Sequence, residues 1–392
     1  MTAHRYLFAW ELGAGYGHLA QIEAMAQALK AQGDGCAFAV RHLANAQQRL
    51  PANLGPCLQA PVRLGPGLNP VKTQLSYASL LHNIGFDDPL ELRARIRAWR
   101  DLMRLLRTQT LIAVHSPIAL VAARSLGLQT FAVGTGFTLP PATQPFPAYD
   151  DTQALKLGLL EDNEALVLAH LHEALAPLSE LRLDSLAGIF ADTPRALFSY
   201  PQLDHYPHAQ RQEPYLGWPG NSFGIEPKWP AGGGPKLLAY LQPGPLLEPM
   251  LQALRASHAR VLLRVEGAAP AQLQAAQRPG LTLLDQALNL QAAATECHAY
   301  IGTGAHGHSC EMMLAGRPGL LLPSTQERFM LSHRLETQGA ALLLPPDQPQ
   351  RAAECVDQLL EDDTLAQAAG QLLKSGTPDH RQAVTRAIQL LR

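Results

Sequence analysis

Two glycine-rich turns that carry histidines are the parts of this sequence best suited to chemistry. The first, at residues 13–18, reads Gly-Ala-Gly-Tyr-Gly-His and follows an apolar run at 6–10. The second, at 302–309, reads Gly-Thr-Gly-Ala-His-Gly-His-Ser and follows an apolar run at 299–301. A strand, a glycine turn and a helix N-terminus together bind anionic or phosphorylated ligands, because free backbone N–H groups and the helix dipole point at the ligand. One such turn in each half predicts a two-domain enzyme with its ligands held between the halves.

The segments around both turns alternate between short apolar strands and helical periods. Strands are predicted at 6–10, 37–41, 111–114, 130–133, 196–198, 236–241, 260–265, 281–284, 299–301, 319–322 and 341–344. Helices are predicted at 19–30, 90–106, 118–126, 162–175, 246–255, 271–277, 308–315, 329–337, 351–360 and 381–391. This alternation predicts βαβ units with parallel sheets, and ligand sites at the carboxyl ends of the strands.

The chain is long enough for two domains, since it has 392 residues, of which 47% are hydrophobic and 16% charged. A stretch rich in proline and glycine, without periodicity, separates the two halves. We predict an N-terminal domain at 1–218, an interdomain linker at 219–235 and a second domain at 236–377. A C-terminal helix at 378–392 is predicted to pack back on the N-terminal domain.

Composition excludes several classes of function. A net charge of -2 argues against a nucleic-acid partner, which usually demands a basic surface. The five cysteines include no Cys-x-x-Cys pair, which argues against a disulfide framework or a structural zinc site. The sequence shows no leader pattern and no apolar run of the roughly 20 residues that span a bilayer. These features predict a cytoplasmic protein.

Four groups of residues, taken in order along the chain, carry a family resemblance. They are Gly-Tyr-Gly-His-Leu at 15–19, Gly-Thr-Gly-Phe at 134–137 with Pro140 and Pro141, the run from Gly304 to Glu311 with Gly-Arg-Pro at 316–318, and Pro323 with Glu327 and Arg328. Their order and spacing resemble the GT-B glycosyltransferases, in particular the UDP-glycosyltransferase-like branch that includes the lipid-linked N-acetylglucosaminyltransferase of cell-wall synthesis. The resemblance covers nearly the whole chain. It implies an α/β protein with two Rossmann-like parallel-sheet domains facing across a cleft.

On the acceptor side, the resemblance implies a general base at His18, which would deprotonate an acceptor hydroxyl as it attacks the anomeric carbon with inversion. A histidine suits this role because its ordinary pKa is close to neutral. From spacing alone, a histidine that merely caps the first helix is an equal alternative. The other acceptor-side residues implied are Gly15, Tyr16, Gly17, Gly136 and Phe137.

On the donor side, the resemblance implies that the second glycine turn holds a nucleotide diphosphate. Glu311, placed in the first turn of the following helix, matches an acid that accepts hydrogen bonds from ribose hydroxyls. Glu327 and Arg328 stand where the family has an acid–glutamine pair, so the sugar is unusual or Arg328 contacts phosphate. The implied donor-binding residues are Thr303, Gly304, His306, Gly307, His308, Ser309, Glu311, Glu327 and Arg328. No cofactor or metal is implied, and the spacing of His306 and His308 lacks a zinc signature.

One departure leaves the chemistry open. Family members often place an aspartate after the strand at 111–114, where this chain has His115 and Ser116. A remote acid, Asp87, Asp88 or Asp150, is one substitute for it. Three functions therefore remain: an inverting, metal-independent glycosyltransferase, a nucleotide-sugar epimerase or hydrolase, and a non-catalytic nucleotide-sugar-binding partner subunit. The acceptor of the transferase would be a small or lipid-linked molecule.

Five arginines recur at helical spacing beside an apolar stripe. They are Arg93, Arg97, Arg100, Arg104 and Arg107. The favoured interpretation is a packed helix with a solvated charged flank. The alternative is peripheral contact with an inner membrane surface through residues 93–107. The sequence leaves monomer and dimer equally open.

Overall fold

The computed structural model describes residues 4–65, 67, 69–150, 157–268, 273–274, 276–374 and 377–392. The chain forms two compact units. The first unit contains the chain up to Phe198, together with His208–Pro219 and Arg381–Arg392. The second contains Ser199–Pro207 and Gly220–His380. The predicted N-terminal domain at 1–218 includes Ser199–Pro207, whereas in the structure this short segment belongs to the second unit.

The first unit is built on a six-stranded parallel sheet with the strand order β3-β2-β1-β4-β5-β6. Its strands are β1 (Arg5–Trp10), β2 (Gly35–Val40), β3 (Cys57–Gln59), β4 (Thr110–Val114), β5 (Gln129–Gly134) and β6 (Arg195–Leu197). The central strands β1 and β4 are buried along almost their whole length. Continuous apolar strands of this kind are typical of a parallel sheet that helices cover on both faces.

Six helices of the first unit precede residue 198. They are α1 (Tyr16–Ala31), α2 (Leu43–Arg49), α3 (Tyr77–Leu81), α4 (Pro89–Leu105), α5 (Pro117–Arg124) and α6 (Leu157–Leu175). Helix α4 begins at the capping residue Asp88, whose carboxylate accepts hydrogen bonds from the N–H groups of Leu90 and Glu91. Its apolar stripe, centred on Ile96 and Trp99, is fully buried.

The second unit repeats this arrangement, with the strand order β12-β11-β10-β7-β8-β9. Its strands are β7 (Lys236–Leu241), β8 (Arg260–Val265), β9 (Leu281–Leu283), β10 (Ala299–Gly302), β11 (Gly319–Leu321) and β12 (Ala341–Leu343). All of its strand pairs are parallel. In both sheets the strand order reverses beside the first strand, between β1 and β4 in one unit and between β7 and β10 in the other.

The helices of the second unit surround this sheet. They are α7 (Leu247–Ala256), α8 (Leu290–Glu296), α9 (His306–Leu314), α10 (Gln326–Thr337), α11 (Ala352–Glu361) and α12 (Asp363–Leu372). The last helix, α13 (Ala383–Leu391), belongs to the first unit and packs against α1. Next to it, the Arg392 guanidinium donates to the Asp34 carboxylate at 3.2 Å.

The segment at 219–235, predicted as a linker, packs against the second unit. The Ile225 N–H donates to the Ala287 carbonyl at 2.8 Å, and the Asn289 N–H donates to the Ile225 carbonyl at 2.9 Å. Further along, the Lys236 ammonium lies 5.4 Å from the centre of the Trp229 ring. These contacts tie the proline- and glycine-rich stretch to the body of the unit.

The prediction of two parallel-sheet units is confirmed, and every strand predicted from the sequence is present within one or two residues at its ends. Strand β3 and helices α2, α3, α8 and α12 are not predicted by the sequence. Of the helix predicted at 271–277, residues 271, 272 and 275 lie outside the described residues, and residues 273–274 are helical.

Two arginines on the polar face of helix α4 form hydrogen bonds with neighbouring segments. Arg93 donates to the Glu173 carbonyl at 3.2 Å, and Arg100 donates to the Ser125 hydroxyl at 2.9 Å. Arg97 and Arg104 remain exposed, whereas Arg107 lies beyond the end of the helix. Within the described parts of the chain, no helix is both long and apolar enough to cross a membrane.

Candidate active site

The point at which the strand order reverses is where open parallel sheets bind ligands, outside the carboxyl ends of the strands. Each sheet has one such point. In the first unit it lies at the ends of β1 and β4, next to the glycine turn that leads into α1. In the second unit it lies at the ends of β7 and β10, next to the glycine turn that leads into α9.

A small, open cleft lies at the reversal point of the second unit. It is bordered by the segments that follow β7, β10 and β11, and its lining includes Gln242, Pro243, Gly244, Thr303, Leu322, Pro323, Ser324 and Pro346. Of the predicted donor-binding residues, Thr303 lines this cleft directly. The walls are mostly apolar, with the amide of Gln242 and two hydroxyls as polar groups, which is typical of a small-molecule site.

The N-terminus of α9 lies next to this cleft. The helix begins at His306, two residues earlier than predicted, and no side chain caps it. The backbone N–H groups of its first turn therefore have no acceptor within the helix. Such groups, together with the positive end of the helix dipole, bind an anion such as phosphate. Gly307 is half-buried in this first turn.

Gly304 is required by its surroundings. Its φ of +74° is a backbone conformation that residues with a side chain rarely adopt. A Cβ atom at this position would lie 2.3 Å from the Ser332 hydroxyl oxygen and 2.8 Å from the Arg328 carbonyl oxygen. The glycine thus lets the turn approach helix α10 closely.

Arg328 places a positive charge beside the cleft. Its guanidinium donates to the Gln242 side-chain oxygen at 2.7 Å and to the Ser324 hydroxyl at 3.2 Å. Burial lowers the pKa of Arg328, and neighbouring Glu327 partly offsets this effect. Burial also raises the pKa of Glu327, against the influence of Arg328. The two partners of Arg328 both line the cleft, so its fork of donors is held within reach of an anionic ligand.

Glu311 is buried and lies in the second turn of α9. The prediction that it stands in the first turn is wrong, because the helix begins at His306. An acid in this position does not act as a simple partner of the helix dipole, which is felt within the first turn.

The remaining polar side chains of α9 pack into the unit. His308 lies against the rings of Tyr240 and Tyr300, with ring centres 5.4 and 5.0 Å away. Burial lowers the pKa of His308 to about 4. The Tyr300 hydroxyl donates to the Ser309 hydroxyl at 3.5 Å. These side chains pack beneath the glycine turn that leads into α9.

His306 has different neighbours from His308. Its ring stacks on His205 with centres 5.6 Å apart, and its Nε2 lies 3.3 Å from the Cys310 sulfur. The two histidines of the His-Gly-His run therefore do not share one set of partners. Among the described residues, no group of three or more histidine, cysteine, aspartate or glutamate side chains is arranged to hold a metal ion.

The corresponding corner of the first unit holds His18. The prediction that His18 precedes the helix is wrong, since α1 begins at Tyr16, with Gly15 as its capping residue at a φ of +89°. The His18 ring is half-buried and stacks on Trp10, with ring centres 5.4 Å apart. A Cβ atom at Gly13 would lie 2.5 Å from Nε2 of His18, so the absence of a side chain there keeps this nitrogen accessible.

The basicity of His18 is low. Burial lowers its pKa to about 4, and no charged group among the described residues contributes to the shift. The ring is therefore neutral near pH 7, which is the form that accepts a proton.

His115 occupies the end of β4, where the family resemblance leads one to expect an acid. Its ring centre is 6.0 Å from that of His18, and its backbone φ is +53°. The ring is buried, and neither of its nitrogens has a hydrogen-bond partner among the described residues. Its carbonyl accepts a hydrogen bond from the Leu12 N–H at 3.2 Å. Burial, with smaller effects of His18 and Arg41, lowers the pKa of His115 well below its ordinary value.

Two of the remote acids named as substitutes are engaged elsewhere. Asp87 forms an ion pair with Arg63 at 2.5 Å, and Asp88 caps helix α4. The third, Asp150, makes no contribution to the pKa of His18. The expectation that Asp87 or Asp88 partners His18 is therefore wrong.

The acceptor-side residues fall into two groups. Tyr16 and Gly17 lie in the first turn of α1, where the Tyr16 hydroxyl donates to Gln48 at 3.5 Å. Gly136 and Phe137 follow β5; the Gly136 carbonyl accepts from Arg211 at 3.0 Å, and the Phe137 ring stacks on Tyr149 at 5.4 Å. The Phe137 ring also lies 6.4 Å from that of His115, which connects the second group to the histidines.

Solved structures match the chain over nearly its whole length. The glycosyltransferase VinC, in complex with dTDP, is 16% identical with a TM-score of 0.69, covering 99% of both chains. The glycosyltransferase SnogD from Streptomyces nogalater is 18% identical with a TM-score of 0.64, covering 99% of this chain and 100% of its own. The spinosyn rhamnosyltransferase SpnG, complexed with spinosyn aglycone, is 19% identical with a TM-score of 0.62, covering 98% and 99%.

The chain has the GT-B fold. No protein-family model and no curated protein matches the sequence. At this level of identity the likeness to solved structures establishes the architecture alone.

Three residues at these corners are missed by sequence reasoning. Gln242 and Ser324 hold Arg328 from 86 and 4 residues away. Glu11 is buried directly after β1, and its carboxyl accepts from the Trp99 indole at 2.9 Å and from the Ile118 N–H at 2.5 Å. Burial raises the pKa of Glu11 to about 7. An acid directly after the apolar run at 6–10 is the signal that could have found it.

Proposed function

We propose that the protein transfers a sugar from a nucleotide-diphosphate sugar to a hydroxyl group of a small-molecule acceptor. The observation that carries this proposal is the cleft of the second unit, where an uncapped helix N-terminus and Arg328 stand at the reversal point of a parallel sheet. Solved glycosyltransferases with the same fold support it. One of them is a complex with dTDP and another is a complex with an aglycone.

The donor diphosphate is proposed to lie across the first turn of α9. Its negative charge increases as the bond to the sugar breaks, so the helix N-terminus and the guanidinium of Arg328 stabilise the leaving group more strongly in the transition state. These groups supply the positive charge that a metal ion supplies in other phosphate sites. We therefore infer a metal-independent transfer without a cofactor. Glu311 is proposed to accept hydrogen bonds from the ribose hydroxyls.

The first unit is proposed to bind the acceptor, with His18 as the general base. The ring is neutral near pH 7, and its Nε2 is accessible beside Gly13. We expect inversion at the anomeric carbon, because a base that deprotonates the acceptor permits direct displacement of the nucleotide. The test is product analysis: NMR of the anomeric proton distinguishes inversion from retention, and retention would exclude this role for His18.

A second candidate is a subunit that binds the nucleotide sugar without transferring the sugar. The observation that favours it is that no carboxylate among the described residues contributes to the pKa of His18. Donor binding without sugar transfer and without hydrolysis would support this candidate. An epimerase or hydrolase would instead convert the donor in the absence of any acceptor.

The proposed donor site is tested by thermal shift with dTDP, UDP, GDP and inorganic pyrophosphate. A ligand at 100 times its Kd stabilises the folded state by about 2.7 kcal/mol. Arg328→Gln removes charge-assisted hydrogen bonds and should weaken diphosphate binding about 10- to 100-fold. A 30-fold loss would reduce the stabilisation at the same ligand concentration to about 0.9 kcal/mol.

Matched variants separate the two proposed contacts. Arg328→Gln should weaken both nucleoside diphosphate and pyrophosphate, whereas Glu311→Gln should weaken the nucleoside diphosphate alone. Arg255→Gln removes the same charge from the exposed end of α7 and should leave both shifts unchanged. If no nucleotide shifts the melting temperature of the wild-type protein, the proposed donor site is wrong.

A further inference from the structure

The side chain of Arg328 forms a bridge between two segments that follow different strands of the second sheet. Arg328 lies in α10, after β11, and its guanidinium donates to Gln242, the first residue after β7. In this sheet β10 lies between β11 and β7. Because neighbouring strands are about 4.8 Å apart, a side chain that joins the two outer segments has to cross the end of the middle strand. The bridge therefore lies at the glycine turn that leads from β10 into α9.

A second contact places Arg328 at this turn. A Cβ atom on Gly304, in the turn itself, would lie 2.8 Å from the Arg328 carbonyl oxygen. The backbone of Arg328 thus packs directly on the turn, and its side chain continues from there to the end of β7. The guanidinium and the first N–H groups of α9 are in this way brought to the same corner of the sheet.

The bridge uses one of the three guanidinium nitrogens. Nη1 of Arg328 donates to Oε1 of Gln242 at 2.7 Å and to the Ser324 hydroxyl at 3.2 Å, which engages both of its hydrogens. Nε and Nη2 form no hydrogen bond with the described residues. These two nitrogens carry parallel N–H groups along one edge of the planar guanidinium. Such an edge binds two oxygens of one carboxylate or phosphate group.

Gln242 is the partner that fixes the plane of this guanidinium. A guanidinium has only donors, so the amide oxygen of Gln242 is the atom that faces it. Gln242 is half-buried directly after a strand, whereas the hydroxyl of Ser324 is exposed and forms the longer bond. Without Gln242, Nη1 would keep a single bond to an exposed side chain. One such bond leaves the guanidinium free to rotate, and two bonds in different directions hold it.

The charge of the bridge is available to an anion. Burial lowers the pKa of Arg328, and the charges of Glu327 and Glu266 oppose this effect. Neither of these carboxylates forms an ion pair with Arg328 within the described part of the chain. The nearby N-terminus of α9 adds the positive end of its dipole and has no acidic residue in its first turn. Both groups favour phosphate oxygens.

We propose that Gln242 is a positioning residue, which holds Arg328 so that its Nε–Nη2 edge binds one phosphate group of the donor through two parallel hydrogen bonds. This inference rests on the proposed donor site. Gln242 acts on the ligand through Arg328 and does not contact it. A guanidinium that is already oriented loses less freedom when the ligand binds, and it needs no reorganisation as charge builds up on the leaving diphosphate.

The first test is a double-mutant cycle, read as the Kd of inorganic pyrophosphate by isothermal titration calorimetry on the full chain. Gln242→Met, which keeps the length of the side chain but lacks the acceptor, should weaken binding about tenfold, as the loss of one charge-assisted hydrogen bond does. In an Arg328→Gln background the same change should weaken binding by less than about twofold. The matched control is Gln252→Met, which replaces an exposed glutamine of α7 and should leave the Kd unchanged.

The cycle separates positioning from direct contact. If Gln242→Met weakens pyrophosphate binding equally in both backgrounds, Gln242 contacts the ligand itself and the positioning role is overturned. If Gln242→Met has no effect on the wild-type Kd, the role is overturned as well. A loss that is present with Arg328 and absent without it supports the inference.

The second test is ¹⁵N NMR of the arginine side chains in the ligand-free chain. The Arg328 signals are identified by their loss in Arg328→Gln. The wild-type protein should give two separate Nη signals for Arg328, because the bonds at Nη1 slow rotation about the Cζ–Nε bond. The two signals should merge in Gln242→Met and stay separate in Gln242→Glu, which retains an acceptor. A role of Gln242 in packing alone would not separate these two variants.

The outcomes distinguish this inference from the proposed function. Wild-type protein that binds neither a nucleoside diphosphate nor pyrophosphate overturns the proposed donor site, and the inference with it. Pyrophosphate binding that Arg328→Gln leaves unchanged overturns the inference and leaves a site at the N-terminus of α9. If the Gln242 variants do not fold, the wild-type spectrum still decides: merged Nη signals of Arg328 overturn the inference, and separate signals support it.

Discussion

Gly304→Ala should destabilise the second unit through a steric cost that adds to a conformational cost. The replaced glycine has a φ of +74°, and the new Cβ would lie 2.3 Å from the Ser332 hydroxyl and 2.8 Å from the Arg328 carbonyl. The left-handed conformation alone costs an alanine about 1–2 kcal/mol. Forcing a methyl group into a packed position costs typically a further 1–3 kcal/mol.

A matched control isolates the steric part of this cost. Gly339, which follows helix α10, has a φ of +69°, and a Cβ there meets only Ala368 at an ordinary 3.7 Å. Gly339→Ala should therefore show the conformational cost alone. The difference between the two variants should be about 2 kcal/mol, which corresponds to roughly 4–8 °C in melting temperature for a unit of this size.

Differential scanning calorimetry is the appropriate assay, because it can resolve separate unfolding transitions of the two units. Ser332→Ala added to Gly304→Ala should recover part of the loss, since it removes one of the two close contacts and the Ser332 hydroxyl has no partner within the described residues. Recovery should be incomplete, because the Arg328 carbonyl remains. Equal melting temperatures for Gly304→Ala and Gly339→Ala would refute the steric argument.

Two further predictions concern the first unit. Glu11 has a folded pKa of about 7, above its ordinary value near 4.5, so the folded state binds the extra proton and stability falls as the pH rises through this interval. The loss of stability should reach about 3 kcal/mol above pH 7. In urea titrations at several pH values, Glu11→Gln should abolish this part of the pH dependence. A pH profile that Glu11→Gln leaves unchanged would contradict the role of Glu11. Asp88→Ala should cost about 1 kcal/mol by removing the cap of α4, with Asp88→Asn as the control that retains an acceptor, and equal stability of the two variants would count against the capping role.

The elements that sequence periodicity predicts well are the long apolar ones. The bounds of strands β7 and β8 agree with the prediction, because each strand contains a buried run of apolar residues. Strand β3 is missed, since it has three residues, all at least partly exposed, and is defined by its pairing with β2. Helix α3 is also short, with five residues. Elements of this length depend on tertiary contacts more than on their own pattern.

The candidate site shows the same limit. The two glycine turns can be predicted from the sequence, because glycine and histidine residues directly after an apolar run are a local pattern. The helix starts at Tyr16 and His306 are missed by two or three residues, which is the usual uncertainty of an element boundary. The partners of Glu11 lie 88 and 107 residues away, so its burial follows from the sheet order and not from any local pattern.

The route of the chain limits how its parts can be exchanged. It passes from one unit to the other at four points, after Phe198, Pro207, Pro219 and His380. A chimaera joined by a single cut near Pro219 would therefore import a foreign partner for Ser199–Pro207 and for α13. Exchange of the second unit for that of another protein therefore has to keep each of these two short segments with the unit against which it packs. Substitutions around the cleft avoid this difficulty, because they leave the route of the chain unchanged.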